Sequence, residues 1–589
     1  MSDVNILSSK IVDRKVVIRL KDRVCETPEE LLGCDLFVRI FRHVLDELSR
    51  RQSRLLDMFP DKTDIKEDEI ALLLETIRHL SKLNAHQVAQ ILPGSVQFTQ
   101  DPDLLEDFLR HVYNSWRSFD RFLICDSDHD DLTARPYRTF QSSGEQLMHL
   151  IRRTYRDVQV HACRHHPNIY RQIAAGAGVV AITDRRVHNL PAGYEVLDKI
   201  RVIRDIMLYP PLVINPPMNK RTGRFDPVGK NPLEMVDIQA DEWLCYPALV
   251  GKLLINIYFH ESFYELGFAL ANLFELADDT ALNDRRPDAV FLYGVPGASL
   301  DEFGKSPTVF FHDTANSLLV GAIPSRPEFG YFGYLKKMAL TLHNICIMQQ
   351  GRMPFHGALF RILLKGGKQA TVLVMGDTGT GKSETLEAFR VLGKDEIQDI
   401  MIIADDMGSL DIDDTGRVIG YGTEIGAFVR LDDLQPGYAF GQLDRMIIMN
   451  AGQINARIVV PVTIYKHVVQ GYSVDAVLYS NNFEPVDDAH PVIEKFEDVD
   501  AALPIFRQGE AMSKGTTTST GLTVTYFANV FGPDQFQPLH DTIANRYFQA
   551  FFDNGLFVGR MRTRLAIPGW EQTGPEASAR ALLQHIRER

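Results

Sequence analysis

Residues 371–384 read TVLVMGDTGTGKSE, and they give the strongest indication of fold class in the chain. The β-branched, apolar run at 371–375 predicts a strand, and the pattern at 383–392 predicts a helix. Between them, GDTGTGKS at 376–383 has the glycine spacing of a phosphate-binding P-loop. Glycines let successive backbone N–H groups turn toward a phosphate, and the start of the following helix favours its negative charge. This stretch therefore predicts an α/β protein that binds a nucleoside triphosphate.

Each residue of the loop and of the first helical turn is a candidate nucleotide ligand. The Lys382 ammonium can reach the β- and γ-phosphates, and the Ser383 hydroxyl suits Mg²⁺. The predicted nucleotide-binding residues are Gly376, Asp377, Thr378, Gly379, Thr380, Gly381, Lys382, Ser383 and Glu384.

Length and composition bound the class of protein. The chain has 589 residues, which is too long for one ordinary domain, and it is 45% hydrophobic and 24% charged, as globular proteins are. Its net charge of −14 argues against a general affinity for nucleic acid or an anionic membrane. The six cysteines lack paired spacing, which fits a reducing compartment. Without a signal peptide or an apolar run of ~18–20 residues, we expect a soluble, cytoplasmic protein.

The pattern along the chain predicts three regions. Apolar residues recur at three- and four-residue intervals in 26–125, which predicts helices, and an acidic stretch at 126–136 ends in proline. Mixed patterns follow, with VQVHA at 158–162 and GVVAIT at 178–183 as strand candidates. Strand patterns dominate after residue 345. The predicted regions are a helical accessory region at 1–130, an α/β domain at 131–345 and a P-loop domain at 346–589.

Polar motifs flank the P-loop on both sides. Asp405 and Asp406 end an apolar run; on a strand adjacent and parallel to the P-loop strand, they would lie beside the Ser383 hydroxyl. There they could hold a metal ion or accept a proton. Upstream, His356 precedes the P-loop strand and the pair Lys336-Lys337 follows glycines and aromatics; downstream, Asn455-Ala456-Arg457 begins another strand pattern.

In this order the motifs resemble the phosphoenolpyruvate carboxykinase family, in its ATP-using branch, with P-loop features shared by HPr kinase/phosphorylase. The family pattern has a tyrosine, a lysine pair, a Met-His segment, a P-loop, an Asp-Asp strand and an Asn-x-Arg. The matching residues here are Tyr331, Lys336-Lys337, 353–356, 376–383, Asp405-Asp406 and Asn455-Ala456-Arg457. The resemblance covers about 325–560. It implies a carboxykinase-like P-loop catalytic domain, a mixed α/β domain before it and an extra N-terminal helical region.

The resemblance also implies roles for these residues. A divalent ion, commonly Mn²⁺, would bind Lys337, His356 and Asp405 or Asp406, and Mg²⁺ would bind Ser383 and ATP. A lysine ligates a metal only when deprotonated, which a neighbouring cation such as Lys336 favours.

The substrate-binding residues implied by the resemblance would take a small carboxylic acid. Arg457 would neutralise the transferring phosphoryl group and Tyr331 would line the acid's pocket. Arg224, in TGRFDP, is the nearest match to the family's substrate-binding arginine. The candidate catalytic residues are Lys336, Lys337, His356, Lys382, Asp405, Asp406 and Arg457.

Three functions are compatible with these motifs. The first is the carboxykinase reaction, oxaloacetate and ATP to phosphoenolpyruvate, CO2 and ADP, or its reverse. The second is a kinase for a protein or small-molecule hydroxyl, with Asp405 or Asp406 as base, because Glu384 and the HGALF around His356 resemble HPr kinase. The third is a nucleotide-sensing protein without turnover. The set Tyr331, Lys337 and Arg457, which HPr kinases lack, favours the first; any of them is compatible with an oligomer.

Overall fold

The computed structural model describes residues 6–20, 24–127, 136–163, 173–186, 188–220, 225–283, 285–305, 307–392, 396–431, 442–513 and 521–588. The protein is mixed α/β, with helices and mixed sheets throughout. It divides into two compact units, residues 1–185 with 203–212 and residues 186–202 with 213–589. The predicted region boundaries at 130 and 345 each fall inside one of these units. No helix in the described ranges is both long and apolar enough to cross a bilayer.

The first unit combines a small sheet with seven helices among its described residues. Its strands are β1 (Ile6–Val12), β2 (Lys15–Leu20), β3 (Asp120–Ser127) and β4 (Val179–Asp184). Strand β2 is antiparallel to β1 and parallel to β3, which is parallel to β4. The helices are α1 (Pro28–Gly33), α2 (Asp35–Arg50), α3 (Glu67–Leu80), α4 (Ala85–Ile91), α5 (Val96–Thr99), α6 (Pro102–Ser118) and α7 (Pro136–Cys163).

Helical periodicity located α1 to α6 correctly, and two local predictions in this unit were wrong. The last residues of the predicted helical stretch, 120–125, lie in β3. The strand candidate VQVHA lies inside α7. A short apolar run with alternating polarity cannot by itself be told from part of a helix, and the 28-residue helix absorbs it here.

The second unit begins with a sheet in the order β8-β9-β11-β13-β12-β7, with β10 on β8. Arg201 and Val202 of β5 also pair with β8. Two strands are shared with the first unit: β5 (Arg201–Leu208), whose residues from 203 onward belong to that unit, and β6 (Leu212–Ile214), whose first residue does. The other strands of this part are β7 (Asp226–Val228), β8 (Trp243–Val250), β9 (Leu253–His260), β10 (Glu275–Leu276), β11 (Ala289–Val295), β12 (Val309–Asp313) and β13 (Leu318–Pro324). Its helices are α8 (Tyr264–Ala269), α9 (Asp279–Asn283) and α10 (Phe332–Gln349).

A second sheet contains the P-loop strand, in the order β22-β18-β17-β14-β15-β23-β27-β24 with β16 on β14. A four-stranded sheet has the order β19-β21-β20-β6, and β25 pairs with β26. The strands are β14 (Met353–Leu364), β15 (Gln369–Met375), β16 (Ile397–Ala404), β17 (Met407–Ile412), β18 (Val418–Gly422), β19 (Gly426–Arg430), β20 (Ile447–Met449), β21 (Arg457–Pro461), β22 (Tyr472–Ser473), β23 (Ala476–Asn481), β24 (Ile493–Lys495), β25 (Glu510–Ser513), β26 (Gly521–Val524) and β27 (Phe557–Arg562). The helices are α11 (Lys382–Leu392), α12 (Tyr465–Val469), α13 (Val499–Gln508), α14 (Gln537–Asp553) and α15 (Thr573–Glu588).

The neighbour of the P-loop strand differs from the prediction. The strand that ends at the two aspartates, β16, is not adjacent to β15, because the long strand β14 lies between them and is antiparallel to both. A hairpin thus joins β14 to β15, and the parallel neighbour of β15 is β23. Sequence spacing alone could not reveal this insertion, since a hairpin and a crossover both fit a strand followed by a P-loop.

Candidate active site

The loop at 376–383 lies between a strand and a helix, as the sequence pattern predicts, and two of its glycines are required by close contacts. It joins β15 to α11, with positive φ at Gly379 (80°) and Gly381 (97°). A Cβ on Gly381 would lie 2.7 Å from Thr563, and one on Gly376 would lie 2.5 Å from the Thr380 hydroxyl. Larger residues would therefore push the loop away from the strands that support it.

Side chains at the ends of two parallel strands hold the loop carbonyls. Hydroxyls of Ser480 and Thr563 donate to Thr380 O over 2.8 and 2.7 Å, and the Asn482 amide donates to Gly379 O over 2.9 Å. Ser480 belongs to β23, and the other two residues follow β23 and β27. The sequence analysis missed this set; its signal was that polar residues follow buried strands, where ligands gather in open α/β sheets.

Lys382 is buried, and its ammonium donates to two loop carbonyls. The distances from Nζ are 2.6 Å to Gly376 O and 2.8 Å to Asp377 O. Burial lowers the pKa of Lys382, while the carboxylates of Asp406 and Asp377 act in the opposite direction. The ammonium is thus prepositioned in the loop, where phosphate oxygens could replace the carbonyls.

A buried ion network lies beside the loop. Lys336, whose side chain is 3% exposed, donates to Asp406 Oδ2 over 2.6 Å and lies 2.8 Å from Glu424 Oε1. Asp406 Oδ1 in turn lies 2.9 Å from His356 Nε2. The structure therefore brings Lys336, His356 and Asp406 together and adds Glu424, which no sequence motif indicated; the metal-ligand set implied by the resemblance had Lys337 in place of Lys336.

Backbone bonds tie this network to the P-loop. The Gly376 N–H donates to His356 O over 3.1 Å, and the Gly357 N–H donates to Asp406 O over 2.9 Å. Asp406 sits in the bend between β16 and β17, opposite the start of β14. An adjacent, parallel β16 was expected to place the aspartates beside the loop. Instead, β14 lies between β15 and β16 and holds Asp406 near the loop.

Both ring nitrogens of His356 face oxygen acceptors. Nδ1 lies 2.5 Å from Ala528 O, and Nε2 faces the Asp406 carboxylate. An imidazole donates from both nitrogens only in its protonated form. The Ala528 carbonyl is presented by three consecutive residues with left-handed φ, from Phe527 (46°) to Asn529 (62°). Such strain is typical of functional sites and fixes the orientation of the ring here.

The charged groups of this network shift one another's pKa values. Burial opposes ionisation of Asp406, but Lys336 and His356 together hold its pKa well below the usual range. Burial likewise opposes the charge on Lys336, and the two carboxylates more than offset it, so its pKa is raised. Burial raises the pKa of Glu424 to about 7, partly offset by Lys336.

Lys337 differs from the rest of its helix. Every other residue of α10 from Phe332 to Met348 is buried, whereas Lys337 is half-buried. Its Nζ lies 4.5 Å from the centre of the Phe531 ring, and the His356 ring centre is 6.2 Å from the same ring. Lys337 and His356 therefore contact one aromatic side chain, with Lys337 the more accessible lysine of the pair.

A second basic group lies on the four-stranded sheet. Arg430 and Arg457 are direct partners across β19 and β21. The guanidinium of Arg457 lies 5.8 Å from the centre of the Phe428 ring, and the Tyr331 ring lies 5.7 Å from it. Residues 428 and 430 share a face of β19, so Tyr331 and both arginines gather on that face. Arg430 was not among the predicted residues.

Arg224 lies outside the described residues, but both flanks of its segment are placed. The Asn455 amide donates to Asn219 O over 2.6 Å, and the Gln535 amide donates to Phe225 O over 3.0 Å. The chain before residues 221–224 therefore lies beside Asn455, two residues ahead of Arg457, and the chain after them lies beside Gln535.

The remaining predicted residues are placed at the loop or its edge. Asp405 is half-buried in the same bend as Asp406, and Glu384 is half-buried in the first turn of α11. Thr378 and Ser383 are exposed. Across the described ranges, no three side chains of His, Cys, Asp or Glu are grouped as a metal site.

Comparison with known proteins adds no family. The sequence matches no protein-family model, and it matches no curated protein.

Proposed function

We propose that this chain is a metal-dependent, phosphoenolpyruvate carboxykinase-like enzyme that uses ATP to phosphorylate the enolate of a small carboxylic acid. The observation that supports this most strongly is the direct contact of Lys336 and His356 with Asp406, together with the hydrogen bond that the N–H of Gly376, the first glycine of the loop, donates to His356 O. A phosphate-binding loop and an ion network held together in this way suit phosphoryl transfer, in which catalysis is mostly positioning and electrostatic stabilisation.

The paired arginines support an anionic acceptor. Arg430 and Arg457 are direct cross-strand partners, and Tyr331 contacts the same ring as Arg457. Guanidinium groups bind carboxylates and phosphates through charge-assisted, often bidentate hydrogen bonds. Two of them on one face of a sheet suit a dicarboxylate such as oxaloacetate, or the phosphoryl group being transferred.

Two donor atoms of the network fit a divalent cation. His356 Nε2 and Asp406 Oδ1 are 2.9 Å apart, close to the ~3 Å between neighbouring ligands of an ion whose bonds are ~2.1 Å long. The bond of Nδ1 to a backbone carbonyl is typical of metal-ligating histidines. His356 and Asp406 would hold the ion, with Lys337 as a third donor. When bound, the ion would act as a Lewis acid at the enolate oxygen.

The reaction balances with these groups. Oxaloacetate loses the carboxylate on its methylene carbon as CO2, and the electron pair of the broken C–C bond forms the enolate. The enolate oxygen attacks the γ-phosphorus and ADP leaves. Lys382 would stabilise the β- and γ-phosphate charge, while Arg457 would neutralise the moving phosphoryl group. Lys336 would keep Asp406 ionised throughout.

The decisive experiment is turnover in both directions. The full chain is incubated with ATP, Mg²⁺, Mn²⁺ and oxaloacetate, or with phosphoenolpyruvate, ADP and bicarbonate, and phosphoenolpyruvate and nucleotides are quantified. Lys337→Met is expected to abolish turnover and to leave ATP binding intact, whereas Lys495→Met, an exposed lysine on β24, changes neither. Intact ATP binding with no turnover in either direction would remove the proposal.

A kinase for a hydroxyl acceptor is the second candidate. The observation that favours it is the half-buried position of Asp405 in the same bend as Asp406, where a carboxylate could accept a hydroxyl proton. Asp406 itself is a poor base, because its pKa is held so low. Transfer of the γ-phosphate of ATP to a serine-containing peptide or a small alcohol, without carboxylic acid turnover, would select this function.

A further inference from the structure

The first unit contains a cavity of about 140 Å³ with an apolar wall. Fully buried residues form its deep side, among them Phe41, Leu109, Leu123 and Val158. Protein interiors hold few voids larger than a water molecule. A cavity of about 150 Å³ lined by leucine, isoleucine and phenylalanine stays dry and binds benzene. This cavity therefore has the size and the chemistry of a site for one small apolar molecule.

Thr154 lines the cavity, and rotation about its χ1 would turn its hydroxyl, which is closed off from the space in this structure, toward it. The residue is 2% exposed, and its Oγ1 has no hydrogen-bond partner among the described residues. A threonine inside a helix can donate to the carbonyl four residues earlier, and Thr76 in α3 does so, with 2.7 Å from Oγ1 to Leu72 O. Thr154 lies inside α7 without making that bond. A buried hydroxyl left unpaired is costly, so a ligand atom that pairs with it would gain affinity.

Part of the cavity lining is within reach of solvent. Several lining residues are only half-buried, including Leu31, Cys34, Phe37 and Tyr113. Tyr113 stacks on Tyr155, another lining residue, with ring centres 4.1 Å apart. Rotation of half-buried side chains is fast, so a small molecule can enter without unfolding the unit.

We propose that this cavity is a binding site for a molecule about the size of one aromatic ring that carries a single hydrogen-bonding atom for Thr154. A charged ligand is excluded, because the apolar wall offers no counter-ion to offset its desolvation. The ring is held by contact with the aliphatic and aromatic wall, and the polar atom sets its orientation. This site does not depend on the proposed phosphoryl transfer.

The experiment compares benzene with phenol, which differ by one hydroxyl. Each is titrated into the full chain by calorimetry, up to its solubility. We expect both to bind, phenol more tightly. In Thr154→Val, which keeps the shape and removes the hydroxyl, the phenol Kd should rise about two- to tenfold, the equivalent of one hydrogen bond. The benzene Kd should stay within about twofold, because no hydrogen bond is lost.

A filled cavity provides the second arm. Val112 lines the cavity, and Val112→Phe is expected to abolish binding of both probes. Val96→Phe makes the same change at an exposed position of α5 and should leave both affinities unchanged. If Val112→Phe does not fold, the Thr154→Val comparison decides alone. Absence of binding to the wild-type chain, binding that persists in folded Val112→Phe, or equal loss of both probes in Thr154→Val would overturn the proposal.

Discussion

The P-loop region of the second unit and the cavity of the first unit are built on opposite principles. Around the P-loop, buried charges are held by partners: Lys336 alone contacts two carboxylates, and three side chains hold the loop carbonyls. In the cavity, apolar side chains leave a space of about 140 Å³, and the hydroxyl of Thr154 has no partner among the described residues. The polar groups around the P-loop already have partners without a ligand. In the cavity, the lining side chains and the Thr154 hydroxyl would gain further contacts only when a ligand binds.

The two regions also differ in how they can be found. A P-loop is contiguous in sequence, because the glycines, the lysine and the hydroxyl must follow one another around a phosphate. A cavity has no motif, since it results from side-chain shapes contributed by residues between 18 and 158. A contiguous binding motif can therefore be predicted from the sequence, whereas a cavity cannot.

The largest effect should follow loss of the charge on Asp406. Asp406→Asn keeps the shape of the side chain but removes the anion that pairs with Lys336 and His356. We expect phosphoryl transfer to fall by about 100- to 1,000-fold, the scale on which loss of one preorganised electrostatic contact acts. The measurement is kcat with saturating ATP.

The matched control is Asp411→Asn on the neighbouring strand, where the carboxylate is 41% exposed and lies 3.3 Å from Arg352. That variant should keep nearly full activity. Equal rates for Asp406→Asn and the wild type would show that the network stabilises the fold and does not contribute to phosphoryl transfer.

Removal of Lys336 should destabilise the fold as well as the site. Lys336→Met leaves Asp406 and Glu424 facing each other without the cation between them. Removing one member of a buried ion pair costs about 3–5 kcal/mol, and we expect a loss of this size in urea unfolding at pH 8. Lys495→Met, on an exposed strand position, should change the free energy of unfolding by less than about 0.5 kcal/mol. A Lys336→Met protein as stable as the control would contradict the described network.

The parts of the polar site that are local in sequence were predictable, and the parts that depend on tertiary packing were not. The strand, loop and helix at 371–392 follow from local pattern. The motifs named Lys336, His356 and Asp406 as site residues, but the resemblance grouped Lys337 with the histidine and the aspartates, whereas Lys336 is the lysine that contacts Asp406. Glu424 and Arg430 were missed because each acts through a partner far away in sequence. The insertion of β14 between β15 and β16 was missed because strand order depends on tertiary packing.

The pH dependence of stability should report Glu424. Its pKa is raised to about 7, above an unfolded value of roughly 4.3, so the folded state binds the extra proton between these values. The stability it contributes is complete below about pH 4 and is lost as pH rises through 7. We expect the wild type to lose on the order of 2–3 kcal/mol relative to Glu424→Gln across this window. Parallel stability curves for the two proteins from pH 5 to pH 8 would refute this assignment.

The smallest effect tests how the loop is held. Ser480 and Thr563 both donate to Thr380 O, so each can partly compensate for the other. Ser480→Ala and Thr563→Val should each weaken ATP binding by about two- to fivefold, near the value of one neutral hydrogen bond. The double variant should lose more than the product of the two, because Thr380 O then has neither donor and the loop is released. Calorimetric ATP titrations of all four proteins give the coupling directly, and strictly additive losses would mean that the loop keeps its shape without these hydroxyls. In that event the glycines and the helix start would suffice to form the phosphate site, and the contrast with the cavity would rest on the ion network alone.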